Sequence, residues 1–326
     1  MIDTAVSGVL VLDRDQTRAA LPADALLAAV RTALVAISRG DASAPPRVAA
    51  RSPHGLLGAM PGYVPQLGLA AKLVTVFSAV TAGGHGAHRG IVAYFDEENG
   101  RPLAVMDAET ITALRTAATA TAAMIALARP GARRVAVIGT GTQARAQLGL
   151  IAALDSALDP ALDSVRPVVG ARDRGAAERL VAGLPSGSAT TVEEAVRGAD
   201  VVFCCTSSRE PVVRRSWLGG GAHLSSVGGS DGPEFGDDTL RAASLFVEWR
   251  GAVTEPPPAG AWELQAADPA DARLIGAVLD GAHPGRRSAE ELTLFKSTGH
   301  AALDVAAASV AYRVARERGL GLSVDL

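Results

Sequence analysis

The sequence predicts an α/β protein of two domains, one of alternating strands and helices and one of mixed α+β character. Three observations carry that prediction. From Arg133 onward short apolar runs alternate with helical segments, which implies parallel strands joined by crossover helices. Between Gly55 and Phe95 the pattern is different: the runs GLLGAM, AAKLVTVF and GIVAYF are separated by Gly, Pro and His, as in a sheet with turns. The chain, 326 residues with 48% hydrophobic and 20% charged content, is long enough for two ordinary domains or one large one.

Taken in order, the first element is an amphipathic helix from Pro22 to Gly40, with Leu26, Leu27, Val30, Leu34 and Ile37 at helical spacing, Pro near its start and Gly at its end. The strands of the Gly55–Phe95 region follow. An alanine-rich helix then runs from about Thr110 to Leu127 and is stopped by Pro130 and Gly131. The alternating region reads RRVAVIG, a helix from Thr142, RPVVGA, a helix through Ala176 to Val181, VEEAV, DVVFCCT, AHLSSVG and SLFVEW. Thr254 to Trp262, TEPPPAGAW, is a proline-rich loop. The last helix, from about Gly299 to Arg318, is expected to pack back onto the first domain. There is no internal repeat.

Composition narrows the function classes. A formal net charge of −3 offers no long-range attraction for nucleic acid or anionic lipid. The two cysteines, Cys204 and Cys205, are adjacent, so they form neither an ordinary disulfide with each other nor a four-ligand zinc site, and no metal is expected. The N-terminal segment MIDTAVSGVLVLDRDQ carries acid where a signal peptide needs base, and apolar stretches of membrane-spanning length are broken by polar residues. A reducing cytoplasm is the expected compartment.

The strand Arg133–Ile138 runs into Gly139-Thr140-Gly141-Thr142-Gln143-Ala144 and then a helix, giving G-x-G-x-x-A. Two glycines allow a tight turn and close approach to a pyrophosphate. Ala144 lets the helix sit near the strand, so that its N-terminal amides face the negative charge. A glycine turn without a ligand is the alternative. Position decides between them: the loop opens an alternating α/β region, as a Rossmann-type dinucleotide-binding domain requires. The next strand ends Ala171-Arg172-Asp173-Arg174, where an NAD site usually carries a carboxylate and a 2′-phosphate prefers Arg, so Arg172 favours NADP(H) over NAD(H). Asp173 and Arg174 read equally well as a solvated pair at a helix start. Thr206 and Ser207, at the end of DVVFCC, either contact the cofactor or cap a helix.

Beyond these local features, the chain resembles the ornithine cyclodeaminase and μ-crystallin family over almost its whole length. The resembling segments are Pro46-Arg47, Met60-Pro61, Lys72 in AAKLVTVF, His88-Arg89-Gly90, FDEENGRPLAVMDAETITALRTAA, GTGTQA, VGG at Val227 to Gly229, and GRRSAEELTLFKSTGHAALD. The resemblance implies a homodimer whose substrate-binding and dimerisation domain spans residues 1–118 and 303–326, with a dinucleotide-binding domain over 119–302. Substrate would lie between the two. It also implies that Arg47, Lys72 and Arg115 hold a substrate carboxylate, a task suited to two guanidinium forks and an ammonium. The alternative makes all three surface or capping charges. His88 either sits near the nicotinamide or is a turn histidine.

Family members that cyclise ornithine or lysine need a carboxylate near the distal amine. The chain departs from the family pattern at both candidate positions: Gly58 takes the place of the one before Met-Pro, and Ser230 follows V-G-G, with Asp231 displaced by one. Asp231 can still serve as a proton donor, which makes Lys72 and Asp231 the expected residues at the reacting centre. These departures point to the reductase branch, an NAD(P)H-dependent ketimine reductase or amino acid dehydrogenase acting on the Cα of a small amino or imino acid. Cyclodeamination with internally recycled NAD is the second reading. The third is a non-catalytic NADP- and ligand-binding protein.

Overall fold

The structure, a computed structural model, describes residues 8–77, 88–154, 165–184, 186–229 and 231–325. It divides into two compact units, Met1–Arg115 with His300–Leu326, and Thr116–Gly299.

The first unit is a seven-stranded sheet in the order β15-β1-β6-β5-β4-β3-β2, formed by β1 (Val9–Leu12), β2 (Val48–Ser52), β3 (Gly55–Val64), β4 (Gly68–Val76), β5 (His88–Phe95), β6 (Pro102–Asp107) and β15 (Leu322–Val324). Only β1 and β6 run parallel; the other neighbours are antiparallel. The three strands expected between Gly55 and Phe95 are β3, β4 and β5, and His88 begins a strand. Sequence reading did not find β1, β2, β6 and β15. Each is short, and β2 is exposed at every position, so it carries no inside–outside alternation to detect.

Helices α1 (Arg14–Ala19), α2 (Ala23–Arg39) and α10 (Ala301–Arg318) complete the unit. Asp13 and Gln16 form a capping box at the start of α1. Pro22 and Gly40 flank α2, as expected. Helix α10 packs against α2 on one side and β3, β4 and β5 on the other. Its alanines allow that double contact by keeping the helix thin, and a Cβ at Gly62 of β3 would lie only 3.0 Å from the Ala301 Cβ. A helix buried on two sides has no wide polar face, and here the residues from Ala301 through Ala308 are all buried.

Helix α3 (Ala108–Leu127) runs from the first unit into the second. Asp107 caps it by accepting hydrogen bonds from the Thr110 amide and hydroxyl at 2.8 and 2.6 Å. The helix is long and apolar enough to cross a membrane, but 78% of its most apolar window is buried inside the protein, as in a core helix.

The second unit is an eight-stranded, all-parallel sheet in the order β13-β12-β14-β11-β10-β7-β8-β9. Its strands are β7 (Val135–Ile138), β8 (Val168–Gly170), β9 (Ser188–Thr190), β10 (Val201–Cys204), β11 (His223–Ser226), β12 (Ser244–Val247), β13 (Arg273–Leu274) and β14 (Thr293–Lys296). The helices between them are α4 (Thr142–Leu154), α5 (Arg174–Val181), α6 (Val192–Val196, the VEEAV segment), α7 (Asp237–Ala242), α8 (Gly251–Thr254) and α9 (Ile275–Leu279). Alternate residues feed two cores. Ala136, Ile138, Val202 and Cys204 join one, while Val135, Val137, Val201 and Phe203 join the other. Both faces are therefore covered, which is why these strands read as unbroken apolar runs. The fold is Rossmann-type, and its strand order reverses between β7 and β10, the position where such sheets leave a crevice beyond their carboxyl ends.

Candidate functional site

Two groups of residues stand out, one in each unit. In the second unit, the end of β7 meets that crevice. Gly139 has φ +113°, and a Cβ there would lie 2.6 Å from the Cys205 carbonyl oxygen, so backbone and packing both demand glycine. Gly141 is different. A Cβ there would meet nothing within 4 Å, so the protein's own packing gives no reason for glycine, whereas a closely approaching ligand would.

The first intrahelical bond of α4 runs from the Arg145 amide to the Gly141 oxygen at 3.1 Å, so the amides of Thr142, Gln143 and Ala144 have no acceptor within the helix. Ala144 is buried against the sheet, and the side-chain oxygen of Gln143 is buried without a partner. Thr140 precedes these amides in the loop. The arrangement fits a pyrophosphate: outward amides, an open glycine and a helix dipole of the right sign.

At the tip of β8, Arg172 is exposed and makes no hydrogen bond or ion pair among the described residues. Asp173 caps α5 by accepting from the Ala176 amide at 3.0 Å, and Arg174 pairs with Glu178 at 2.9 Å. Those two neighbours are thus engaged locally. Ser207 is exposed, while Thr206 is half-buried and bonds through its amide and hydroxyl to Glu234 rather than capping a helix. Asp231 lies exposed in the turn after Gly229, and Ser230 falls outside the described residues, as does the side chain of His88.

A buried polar network, not expected from the sequence, ties the ends of these strands. Glu234 also accepts from the Ser226 hydroxyl at 2.7 Å and the Gly228 amide at 3.1 Å. Lys296 bonds to Ser226 Oγ and the Gly228 oxygen and pairs with Glu263 at 3.1 Å. Glu248 accepts from the Ser297 hydroxyl and the Thr298 and Gly299 amides.

In the first unit, Lys72 of β4 lies opposite Met60 of β3 and shares the sheet face that α10 covers. Its ammonium is 2.8 Å from Asp304 Oδ2, and Arg115 Nε donates to Asp304 Oδ1 at 3.0 Å. All three are buried: Lys72 is 5% exposed, Arg115 4% and Asp304 1%. Lys72 also reaches the Thr112 hydroxyl at 3.5 Å. Burial pulls the Lys72 pKa down and Asp304 opposes this, while Arg115 and Arg47 push it further down. Burial would raise the Asp304 pKa, but Lys72 and Arg115 outweigh it and the net shift is downward. Burial also takes His300, the N-cap of α10, to about 4, with Arg47 and Arg115 acting in the same direction. Arg47 is half-buried and close enough to act on both Lys72 and His300. The three expected cations thus lie within electrostatic reach of one another, and Asp304 is the residue that sequence reading missed. A lone carboxylate within AALDVAAASVA was its available signal, the same signal that marked Lys72 and Arg115.

Comparison with known proteins gives a consistent picture. A sequence model of the ornithine cyclodeaminase/mu-crystallin family matches residues 9–319. The chain is 34% identical over 264 residues to the ketimine reductase mu-crystallin of Mus musculus, covering 79% of this chain and 80% of that protein. It superposes with a TM-score of 0.84 on Thermococcus litoralis Δ1-pyrroline-2-carboxylate reductase in complex with NADH and L-proline, at 27% identity over 97% of this chain and 100% of the other. An archaeal alanine dehydrogenase dimer with bound NAD gives 0.82 at 30% identity, covering 97% and 98%.

Proposed function

The chain belongs to the ornithine cyclodeaminase/mu-crystallin family, and on that premise we propose that it is an NAD(P)H-dependent oxidoreductase that reduces a small imino acid at Cα or oxidises the corresponding amino acid. The observation that carries this reading is a cluster of cations: the buried Lys72 and Arg115 both meet the carboxylate of Asp304, with Arg47 close by. Such a group binds an anion, and the α-carboxylate of an amino or imino acid is an anion that fixes Cα in place.

The roles divide between the units. Arg47, Lys72 and Arg115 hold the substrate carboxylate. Gly139, Thr140, Gly141, Thr142, Gln143 and Ala144 receive the pyrophosphate, and Thr206 and Ser207 border the nucleotide where the strand order reverses. A bound pyridine nucleotide supplies or accepts the hydride. In the reductive direction a protonated imine gains hydride at carbon and becomes the amine, its nitrogen proton coming from solvent or from an acid, for which Asp231 is our candidate. Lys72, fixed in a buried charge cluster, also favours electron flow toward Cα by its positive charge. Arg172, exposed at the β8 tip with its neighbours engaged, suits the 2′-phosphate of NADP.

Gly58 favours reduction over cyclodeamination. It is buried, shares the β3 face of Met60, and so brings no carboxylate to hold a distal amine beside Lys72. We further propose a homodimer. Val11, Leu57, Ile91 and Leu322 are 39–67% exposed. By strand register they share the sheet face turned away from α10, an apolar surface suited to a second copy. The cytoplasm is the compartment we assign.

The test is nicotinamide absorbance with NADPH or NADH and a cyclic ketimine acid, beside an ammonia assay on ornithine and lysine. Stoichiometric loss of the reduced cofactor is expected. Ammonia release from ornithine with no net cofactor change would replace this reading with the cyclodeaminase.

A further inference from the structure

We propose that Asp304 is the positioning residue of the carboxylate clamp: a single buried carboxylate on α10 fixes both Lys72 and Arg115 in the geometry that receives the substrate. The proposal rests on the functional reading above. Its basis is the bridge itself, with one oxygen 2.8 Å from the Lys72 ammonium and the other 3.0 Å from Arg115 Nε.

Two buried cations on different elements, β4 and α3, repel one another, and Arg47 adds to that repulsion. Unopposed, each would relax outward or, for lysine, lose its proton. Asp304 opposes both escapes. A carboxylate in the first turn of α10 is stabilised by the helix dipole as well as by the two cations, so it stays ionised although 1% exposed. Holding Arg115 through Nε restrains the guanidinium plane, the orientation on which two-point binding of a carboxylate depends. Lys72 meets Asp304 as an ion pair at 2.8 Å. The counter-ion thus organises the clamp: it holds Lys72 and Arg115 together, with Arg47 within electrostatic reach of Lys72.

The position of Asp304 is in turn set by packing. Ala301 and Val305, on either side of it in α10, are the residues that the vacant Cβ space of Gly62 accommodates, at 3.0 and 3.2 Å. Among the described residues the groups that act on Lys72 are Asp304 from α10, Arg115 and Thr112 from α3, and Arg47 from the segment before β2, while His300 at the cap of α10 acts with Asp304, Arg47 and Arg115.

The experiment is calorimetric binding of pyruvate, a minimal α-carboxylate probe, to the full chain from mildly acidic to mildly alkaline pH. Wild type, Asp304→Asn, Asp304→Glu and the double variant Asp304→Asn/Lys72→Arg are compared. In wild type the affinity should be nearly level with pH. In Asp304→Asn it should be weaker and fall further as pH rises, approaching tenfold per pH unit above the Lys72 midpoint, because neutral lysine no longer attracts the probe. The double variant, whose arginine does not titrate in this range, should restore a level profile. Asp304→Glu keeps the charge but displaces it, so it should keep the level profile with affinity lowered about tenfold.

A pH profile for Asp304→Asn parallel to that of wild type would overturn the inference while leaving the carboxylate clamp standing. If Asp304→Asn does not fold, wild-type affinity in Asp304→Glu would overturn it instead. Failure of wild type to bind pyruvate would overturn the clamp and the inference together.

Discussion

Glu234 accepts both hydrogen bonds that Thr206 donates, from its amide at 2.8 Å and its hydroxyl at 2.7 Å, through one carboxylate oxygen. The other oxygen takes the Ser226 hydroxyl and the Gly228 amide. A fully buried carboxylate therefore joins the ends of β10 and β11 beside the point where the strand order reverses. Glu234→Gln keeps the shape but turns one acceptor into a donor facing two other donors. We expect a loss of about 1.5–3 kcal/mol of stability, the scale of hydrogen bonds to a charged group, together with weaker nucleotide binding. Urea denaturation and fluorescence titration with NADPH check both. An unchanged urea midpoint would mean that the four bonds are not a structural tie.

Gly139 and Gly141 belong to one motif but should respond oppositely to alanine. At Gly139 a methyl meets the Cys205 oxygen at 2.6 Å, and the backbone has φ +113°. Gly139→Ala should therefore destabilise the protein by at least about 1 kcal/mol. At Gly141 a methyl meets nothing. Gly141→Ala should leave the melting temperature unchanged and weaken the cofactor at least about tenfold, or about 1.4 kcal/mol, if the open space is where the pyrophosphate lies. Calorimetry of each variant with and without NADPH separates the two effects. Equal cofactor affinity in wild type and Gly141→Ala would remove the loop from the binding site.

Arg172 is the residue we propose sets the cofactor preference. Its guanidinium is exposed and unpaired among the described residues, so Arg172→Ala removes little from the fold. A contact to a 2′-phosphate is a charge-assisted bond, and losing one costs about 1.5–3 kcal/mol. NADP affinity should fall by at least tenfold on that scale while NAD affinity stays level, a comparison made by parallel titrations. A matched loss for the two cofactors would take Arg172 out of 2′-phosphate recognition.

What the sequence made legible, and what it hid, follows from the physics of each residue. The loop Gly139–Ala144 could be read because pyrophosphate binding, the role proposed for it, imposes residue types at fixed spacing, and α2 because burial of one face imposes a period. Lys72 and Arg115 were visible as charges interrupting apolar runs. Asp304 carried the same mark, yet an acid in the first turn of a helix also reads as a dipole partner, and that ordinary explanation concealed it. Glu234 and Glu263 lie in polar or proline-rich stretches where an acid is unremarkable, and Glu248 stands at the end of the apolar run SLFVEW. Their burial depends on partners 6 to 51 residues away in sequence, a pairing that no local pattern announces. Strand β2 failed for the converse reason: as an edge strand exposed throughout, it has no pattern to show.

His223 should make the protein acid-labile in a defined window. Its ring is fully buried on β11, with Nδ1 2.9 Å from Thr293 Oγ1 and Nε2 3.0 Å from Ser225 Oγ. Burial, aided by the charge of Arg286, lowers its pKa from 6.5 to about 3. In the unfolded chain the imidazole takes up a proton as pH falls through about 6.5, whereas in the folded protein it stays neutral until about 3. Between those values the unfolded state binds more protons, so folding stability is greatest above the window and declines on acidification, at up to about 1.4 kcal/mol per pH unit. His300, lowered to about 4, acts with the same sign. Urea midpoints should therefore drop between about pH 7 and about pH 5, the range in which histidine rather than carboxylate titration governs the difference. His223→Gln keeps hydrogen-bonding capacity but cannot titrate, so its midpoint should drop less over the same interval. An identical drop in wild type and His223→Gln would mean that the buried ring is not the source of the acid sensitivity.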